Sequence, residues 1–238
     1  MDGVFQSSPP RPDSPAYQAH TGETLYFAYG SNLSFDQMAK RCPQSCYIGR
    51  ARLHGYQFQI NERGYANVVK AKRQRSGLFV EGLCYRLQRE DEGRLDRAEG
   101  VPIAYIKEEK EIEFFPAQAA LLGRTATDLV QYPTPINQDR QQAQNGEGEA
   151  ALAMVYLSTK YVTPGLPWDE YITRMEQGLH QALQLGVSPE YIENEVRPFL
   201  KIGKGDRADK GPTRIISLAS SVNRKSHGEP GLHRGSGH

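Results

Sequence analysis

The sequence has few cysteines and no long apolar run, and both shortages narrow the class of protein. Its 238 residues include three cysteines, at positions 42, 46 and 84. The number is odd and too small for a disulfide framework, and Cys42 and Cys46 lack a second pair to complete a zinc site. No stretch reaches the roughly 18 apolar residues of a membrane span, and residues 1–20 lack the apolar segment of a secretory signal. We therefore expect a cytoplasmic protein with reduced thiols and no contact with a membrane.

Several motifs of catalysis and nucleotide binding are also missing. The sequence contains no P-loop, no Gly-x-Gly-x-x-Gly, no Gly-x-Ser-x-Gly and no His-Glu-x-x-His. Nothing in the sequence pairs His54 or His180, the two histidines outside the predicted tails, with a nucleophile or a metal ligand. The net charge of +1 gives no general attraction for nucleic acid. We therefore predict no metal, no cofactor and no nucleic-acid partner.

The distribution of polar and turn-forming residues predicts a single domain with two tails. Residues 1–22 are rich in Pro and Ser and are predicted to be a disordered arm. Residues 203–238 hold seven Lys and Arg against three Asp and Glu, with many Gly and Ser, and predict a disordered basic tail. The domain between them, 23–202, contains a predicted insertion loop at 116–148, whose last part is rich in Gln, Asn, Pro and Gly.

Most of the predicted strands come early and consecutively, and helices are inserted between them or appended. Strands are predicted at 25–29, 46–53, 55–61, 66–70, 79–87, 104–115 and 149–157, and helices at 35–41, 89–98, 168–185 and 189–200. This order argues for an α+β fold with a mixed sheet and against a regular βαβ repeat.

The stretch 26–33 is the first candidate for a functional site. It reads Tyr26-Phe27-Ala28-Tyr29-Gly30-Ser31-Asn32-Leu33, an apolar strand that runs into a turn of small residues. Ser34 is a predicted helix N-cap, and Gln37 completes a capping box. Such a junction leaves backbone N–H groups unpaired beside the positive end of a helix, which favours an anion pocket. An ordinary, well-capped turn remains the structural alternative.

Glu99 is the second candidate. It stands at the end of a charged predicted helix, directly before Gly100-Val101-Pro102, where the chain turns back towards a strand. A carboxylate at a helix C-terminus is disfavoured by the helix dipole, so we expect its pKa to rise. A general acid–base role follows from this position, and a solvated surface acid is the alternative.

These motifs together resemble the γ-glutamylcyclotransferase family, whose fold is shared with AIG2-like and BtrG-like proteins. The family's Tyr-Gly-Ser-Asn-Leu turn matches residues 29–33, and the strand 80–87 is also similar. The family's catalytic glutamate, in a Leu-Asp-x-x-Glu-Gly setting, matches Glu99. The resemblance covers roughly residues 24–200 and is of a fungal type, while the insertion and both tails depart from the compact enzyme.

The resemblance implies a small mixed β-barrel flanked by helices and a lyase that forms 5-oxoproline. The implied substrate is a small γ-glutamyl amino acid or peptide, with Glu99 as the catalytic base and acid, and the implied context is glutathione metabolism. A homodimer is also expected, since family members often form one. The implied substrate-binding residues are Tyr26, Phe27, Ala28, Tyr29, Gly30, Ser31, Asn32, Tyr105 and Tyr171, with a structural role for Tyr156.

Three alternatives stay open at this point. The same chemistry could act on glutathione, on a glutathione-derived conjugate or on a γ-glutamylamine. The fold could instead serve as a non-catalytic binding module, as in some AIG2-like proteins. Nucleic-acid binding through residues 203–238 would require salt-sensitive binding that disappears when this tail is deleted.

Overall fold

The computed structural model describes residues 22–71, 77–131 and 148–201. The predicted N-terminal arm, except for its last residue, and the predicted basic tail lie outside these residues. So does most of the predicted loop in the second half of the insertion.

Seven strands form a closed barrel and a separate hairpin. They are β1 (Glu23–Ala28), β2 (Cys46–His54), β3 (Tyr56–Ile60), β4 (Ala66–Lys70), β5 (Phe79–Gln88), β6 (Ile106–Pro116) and β7 (Glu149–Leu157). The barrel order is β1-β5-β2-β6-β7, and the hairpin is β3-β4. β1 is antiparallel to β5 and parallel to β7, which pairs with it at Tyr26 and Met154. The predicted α+β fold with a small mixed barrel is therefore confirmed.

Helices cover the barrel from outside. They are α1 (Phe35–Arg41), α2 (Arg89–Glu99), α3 (Ala126–Gln131), α4 (Asp169–Gln184), α5 (Pro189–Tyr191), a π-helical turn (Ile192–Val196) and α6 (Arg197–Lys201). The apolar stripe predicted for α4 is buried as expected, with Met175 and Leu179 fully inaccessible. None of the described helices has the length and hydropathy that a bilayer crossing requires.

The first half of the predicted insertion packs onto the domain instead of forming a loop. Leu121, Ala126 and Leu129 are buried, and the Ala126 N–H donates to the Ser45 carbonyl at 3.1 Å. A single β-bridge pairs Cys46 with Thr125. These apolar positions fix α3 beside α1, so the described first part of the predicted insertion is packed against the domain.

The hairpin β3-β4 is tied to the segment after β7 by one buried asparagine. The Asn67 Nδ2 donates to the carbonyls of Ser158 and Tyr161 at 2.9 and 3.0 Å, and its Oδ1 accepts from the Ser158 N–H at 2.9 Å. Because Asn67 is inaccessible to solvent, these bonds satisfy buried polar groups on both segments. The hairpin is thereby held in place as one wall of the cavity described below.

Helix α4 packs on the turn that follows β1 through a glycine. A Cβ built on Gly178 would lie 3.0 Å from the Ser34 backbone nitrogen and 3.1 Å from the Leu33 Cβ. Leu33 and Ser34 are both buried, at 2% exposure each. Only a residue without a side chain therefore allows α4 to approach this turn so closely.

We predict that Gly178→Ala destabilises the protein by about 1–3 kcal/mol, the usual cost of overpacking a buried contact. The matched control is Gly93→Ala in α2, where the nearest atom to a new Cβ is the flexible Arg97 Nη1 at 4.0 Å. That substitution should stabilise the protein by about 0.5–1 kcal/mol, because Ala is the better helix former. Denaturant unfolding measures both, and equal effects of the two changes would contradict the close approach of α4.

Candidate active site

A cavity of ≈ 310 Å³ opens where β1 ends. Its walls come from the β1 turn, α1, the β3-β4 hairpin, the end of α2, β7 and α4. The lining residues are Tyr26, Tyr29, Gly30, Ser31, Asn32, Arg41, Arg63, Tyr65, Ala66, Arg97, Ala98, Glu99, Gly100, Ala104, Tyr105, Tyr156, Tyr171 and Arg174. Both stretches singled out in the sequence, the Gly-Ser-Asn turn and Glu99, therefore face one space.

The turn after β1 is a short 3₁₀ helix, Ser31–Leu33. The Leu33 N–H donates to the Gly30 carbonyl at 3.0 Å, and the Ser34 N–H to the Ser31 carbonyl at 3.1 Å. The amides of Gly30–Asn32 precede the first of these bonds, so the turn itself offers them no acceptor. Among these amides, that of Ser31 is hydrogen-bonded to the Tyr171 hydroxyl. The Gly30–Asn32 turn, with this hydroxyl beside it, is the candidate cradle for an anion.

The N-terminus of α1 does not contribute to that cradle as expected. Its amides are taken by the protein: the Phe35 N–H donates to Gln181 Oε1 at 2.8 Å, and the Gln37 N–H to the N-cap Ser34 Oγ at 3.4 Å. The N-cap prediction is confirmed, but the capping box does not close. The Gln37 side chain instead donates to Ser31 Oγ at 2.5 Å and to Asn32 Oδ1 at 3.0 Å. It braces the 3₁₀ turn rather than the helix.

Asn32 connects this turn to the carboxylate of Glu99. Its Nδ2 donates to Tyr26 Oη at 2.9 Å and to Glu99 Oε1 at 3.2 Å. Its Oδ1 accepts from Gln37 Nε2 and, at 2.9 Å, from Arg41 Nη1. The side-chain amide thus uses both donors and both acceptor sites, which fixes its orientation. Asn32 consequently positions Glu99 in addition to lining the cavity.

The end of α2 places Glu99 at the cavity wall. Gly100 follows in the left-handed conformation, with φ 66° and ψ 40°. Its N–H donates to the Arg97 carbonyl at 3.2 Å, and the Val101 N–H donates to the Asp96 carbonyl at 3.0 Å. This is the αL helix stop that the Glu-Gly-Val-Pro sequence predicts. Because the helix ends here, Glu99 turns into the cavity and away from a solvated helix face.

Glu99 is a desolvated carboxylate with one direct cationic partner. Its side chain is 18% exposed, and Arg41 Nη1 lies 3.0 Å from its Oε1. Burial raises the pKa of Glu99, and the charge of Arg41, the Asn32 hydrogen bond and the charge of Arg174 oppose that rise. The predicted direction is therefore confirmed, but its main cause is burial, which the sequence did not reveal. A carboxyl group with a raised pKa that faces a cavity is suited to take up and return a proton.

Tyr105 and Tyr171 fix the β3-β4 hairpin at the cavity, because their hydroxyls bond to the two backbone groups of Ala66. The Tyr105 hydroxyl donates to the Ala66 carbonyl at 2.7 Å, and the Tyr171 hydroxyl accepts from the Ala66 N–H at 3.1 Å. Burial raises the pKa of Tyr171 to about 12, so its hydroxyl stays protonated and can donate into the cavity. Both residues line the cavity as predicted, and both also fix β4.

Tyr29 and Tyr156 have hydroxyl groups that serve the framework. The Tyr29 hydroxyl donates to the Tyr156 carbonyl at 2.6 Å, and the Tyr156 hydroxyl donates to Asp96 Oδ1 at 2.6 Å. The Tyr156 ring also meets the Tyr26 ring edge-on, with centroids 5.7 Å apart. These contacts agree with a structural role for Tyr156, although its ring also lines the cavity.

Phe27 and Ala28 are the two predicted binding residues of this stretch that do not line the cavity. Both are fully buried. Side chains alternate across a strand, so Phe27 points to the opposite side from Tyr26. The remaining predicted residues of the turn, from Tyr29 to Asn32, do line it.

Sequence reasoning missed the basic residues of the site. Among the residues that the structure describes, four arginines line the cavity, at positions 41, 63, 97 and 174, and Glu99 is the one acid that does. They come from α1, the β3-β4 turn, α2 and α4, and no local spacing links them. The sequence does contain an indication for Arg41, since this residue ends the predicted helix that begins beside Asn32. The excess of positive charge favours an anionic ligand.

We predict that Arg41→Gln raises the pKa of Glu99 further. The change removes the positive charge that favours the ionised carboxylate, while the burial that disfavours it remains. The carboxyl carbon of Glu99, followed by NMR during a pH titration, reports this shift directly. Arg94→Gln is the control, because Arg94 pairs with Asp91 and does not line the cavity. An unchanged or lower pKa in Arg41→Gln would contradict the assigned electrostatics.

Comparison with known proteins identifies the family. Residues 26–147, just over half of the chain, match the family model described as gamma-glutamyl cyclotransferase, AIG2-like. The chain therefore belongs to this family, and membership supports a gamma-glutamyl cyclotransferase-like activity. No curated protein matches the chain significantly.

Solved structures agree with the fold. A structure named gamma-glutamyl cyclotransferase is 21% identical with a TM-score of 0.53, and the match covers 84% of this chain and 99% of that one. An uncharacterized protein from Homo sapiens is 22% identical with a TM-score of 0.53, and the match covers the same shares of the two chains. YkqA from Bacillus subtilis is 22% identical with a TM-score of 0.50, over 74% of this chain and 53% of its own. At these identities the likeness concerns the fold.

Proposed function

We propose that this protein is a lyase that converts a γ-glutamyl amino acid or peptide to 5-oxoproline and a free amine. The observation that carries the proposal is the geometry of Glu99. It is a desolvated carboxylate, bonded to Asn32 and Arg41, that shares one cavity with the amides of the Gly30–Asn32 turn. Glu99 is the general base and then the general acid.

The glutamyl end of the substrate carries an α-carboxylate, and the Gly30–Asn32 amides are its proposed cradle. Arg174 supports this assignment, because its charge acts on Glu99 and on the neighbouring Tyr171. Its Nη1 donates to Gln37 Oε1 at 3.3 Å, its Nη2 pairs with the Glu170 carboxylate at 2.9 Å, and its Nε is buried without an acceptor in the described chain. The α-carboxylate is thereby held at the end of the cavity where the α-ammonium group can meet Glu99.

The reaction needs only one proton shuttle, since the substrate supplies its own nucleophile. Glu99 takes a proton from the α-ammonium, and the freed amine attacks the γ-carbonyl carbon to form the ring N–C bond. The bond between that carbon and the leaving nitrogen then breaks, and Glu99 returns its proton to the leaving nitrogen. The ring nitrogen gives its second proton to the released amine, which departs as an ammonium group, and the neutral lactam of 5-oxoproline remains. No water, metal or covalent enzyme intermediate enters this sequence.

The energetic demand on the protein is chiefly to fold the substrate for attack. Correct placement of two reacting groups contributes at most about 7–11 kcal/mol, and general acid–base help about 10²–10⁴-fold. The tyrosines at positions 26, 105 and 171 give the cavity rigid walls, since their hydroxyls are bonded within the protein. A rigid cavity of ≈ 310 Å³ is at the small end of ligand pockets, which favours a dipeptide-sized substrate.

The alternative leaving groups are glutathione's cysteinylglycine, a glutathione-derived conjugate or a simple amine, and the alternative function is a binding module. A large conjugate would extend out of the cavity. The placement of the Glu99 carboxylate in the same cavity as the Gly30–Asn32 turn, with a pKa that burial raises, favours an enzyme over a binding module. The homodimer, the cytoplasmic location and the absence of a nucleic-acid partner remain predictions.

The test is 5-oxoproline release from γ-glutamyl-alanine, γ-glutamyl-ε-lysine and glutathione. Glu99→Gln should lower the rate by about 10²–10⁴-fold, because Gln cannot exchange the proton. Glu90→Gln, an exposed acid on the same helix, is the matched control and should leave the rate intact. Circular dichroism checks that both variants fold.

Each other outcome has a definite meaning. Full activity in Glu99→Gln would show that Glu99 is not the catalytic base and acid. Binding of γ-glutamyl ligands by the wild-type protein without 5-oxoproline release would instead establish a binding module.

A further inference from the structure

Arg63 is a cavity arginine whose charge no carboxylate of the described chain neutralises. It lies in the β3-β4 turn and is half-buried. Its guanidinium lies 4.9 Å from the centroid of the Tyr161 ring and 5.9 Å from that of Tyr65. Among the described residues it has no ion-pair partner, in contrast to Arg41, which pairs with Glu99. A half-buried guanidinium that has no ion-pair partner in the described chain is a favourable site for an anion.

The turn that carries Arg63 is rigid. Asn61 Oδ1 accepts the N–H groups of Arg63 and Tyr65 at 3.0 and 3.3 Å, and the Gly64 N–H donates to the Asn61 carbonyl at 2.9 Å. The Trp168 Nε1 donates to the Arg63 carbonyl at 2.7 Å. The backbone at Arg63 is thus bonded from three sides, and two aromatic rings flank its side chain. Binding an anion there costs little ordering of the protein.

The cationic groups of the cavity fall into two sets. Arg41 and Arg174 are the arginines that act most on Glu99, whereas Arg63 acts on Tyr105. A γ-glutamyl amino acid also has two anionic ends, the α-carboxylate of its glutamyl part and the carboxylate of its amine part. With the first at the Gly30–Asn32 turn, the second needs a separate cation.

We propose that Arg63 binds the carboxylate of the amine that is released. It is then the residue that selects γ-glutamyl amino acids and peptides over γ-glutamylamines, which lack that carboxylate. The inference rests on the proposed cyclotransferase function and specifies its substrate class. The planar fork of Arg63 suits a carboxylate, since two parallel N–H groups can meet its two oxygens.

Arg97 is the alternative candidate for binding the carboxylate of the released amine. It also lines the cavity without an ion pair in the described chain, but it lies exposed on α2 and no ring flanks it. An exposed guanidinium is well hydrated and loses side-chain freedom when it binds, so it contributes less. Arg63 is therefore the stronger candidate.

The test compares two substrates that differ only at the proposed contact, γ-glutamyl-alanine and γ-glutamyl-alaninamide. Wild-type protein should prefer the carboxylate over the carboxamide by about tenfold or more in kcat/KM, the effect of one charge-assisted hydrogen bond. Arg63→Gln should bring this ratio close to one through loss of activity on γ-glutamyl-alanine. Arg63→Lys should keep part of the preference, because it keeps the charge but not the fork.

Two matched variants test whether the preference for the carboxylate depends on Arg63 itself. Lys70→Gln removes one positive charge from the exposed end of the same hairpin, outside the cavity, and should keep the wild-type ratio. Arg97→Gln should also keep most of it. A ratio near one in the wild type, an unchanged ratio in Arg63→Gln, or a collapse in Arg97→Gln alone would each overturn the assignment.

Binding separates failure of this inference from failure of the proposed function. Calorimetry on Glu99→Gln, or on wild type if it shows no turnover, measures the affinity for both compounds. Tighter binding of γ-glutamyl-alanine that is lost when Arg63→Gln is added supports Arg63 even without catalysis. Equal binding of both compounds overturns Arg63 while leaving the cyclotransferase function in place if 5-oxoproline is formed. Binding of neither compound overturns both.

Discussion

The buried carboxylate of Glu99 is the constraint on which the rest of the site depends. Taking this charge out of water is unfavourable, and the protein offsets the cost with Arg41 and Asn32. Arg41 in turn bonds Asn32, and Asn32 is oriented by Gln37. The result is a carboxylate whose pKa is raised by burial and whose ionised form is stabilised by its partners, which suits the proton exchange with a substrate amine that we propose.

The barrel and its helices supply the geometry for this network. β1 carries the chain into the 3₁₀ turn, and α4 packs against the turn across Gly178. α2 ends at Gly100, so its last side chain enters the cavity. The β3-β4 hairpin closes another wall, because both backbone groups of Ala66 are bonded by tyrosine hydroxyls. Elements far apart in sequence thus converge on one small space, and their mutual bonds keep it rigid.

Contiguous motifs made much of this site predictable. The turn that ends at Asn32 and the helix end at Glu99-Gly100 can each be recognised from a few adjacent residues. The family resemblance then placed both in one barrel. Phe27 belongs to the same motif but does not line the cavity, because side chains alternate along a strand and a motif read as one block ignores this alternation. The arginines were missed because only the tertiary fold brings Arg63 and Arg174 into the cavity that Glu99 lines. Burial, the main cause of the raised pKa of Glu99, depends on the same packing and has no signature in the sequence.

A crystal structure of Glu99→Gln with γ-glutamyl-alanine would test the central claim most directly. We expect the α-carboxylate of the substrate to lie on the amides of the Gly30–Asn32 turn. We also expect its α-amine to lie within hydrogen-bond distance, about 2.6–3.2 Å, of the side chain at position 99. A glutamyl group bound the other way round, with its amine remote from position 99, would contradict the assignment of Glu99 as the base.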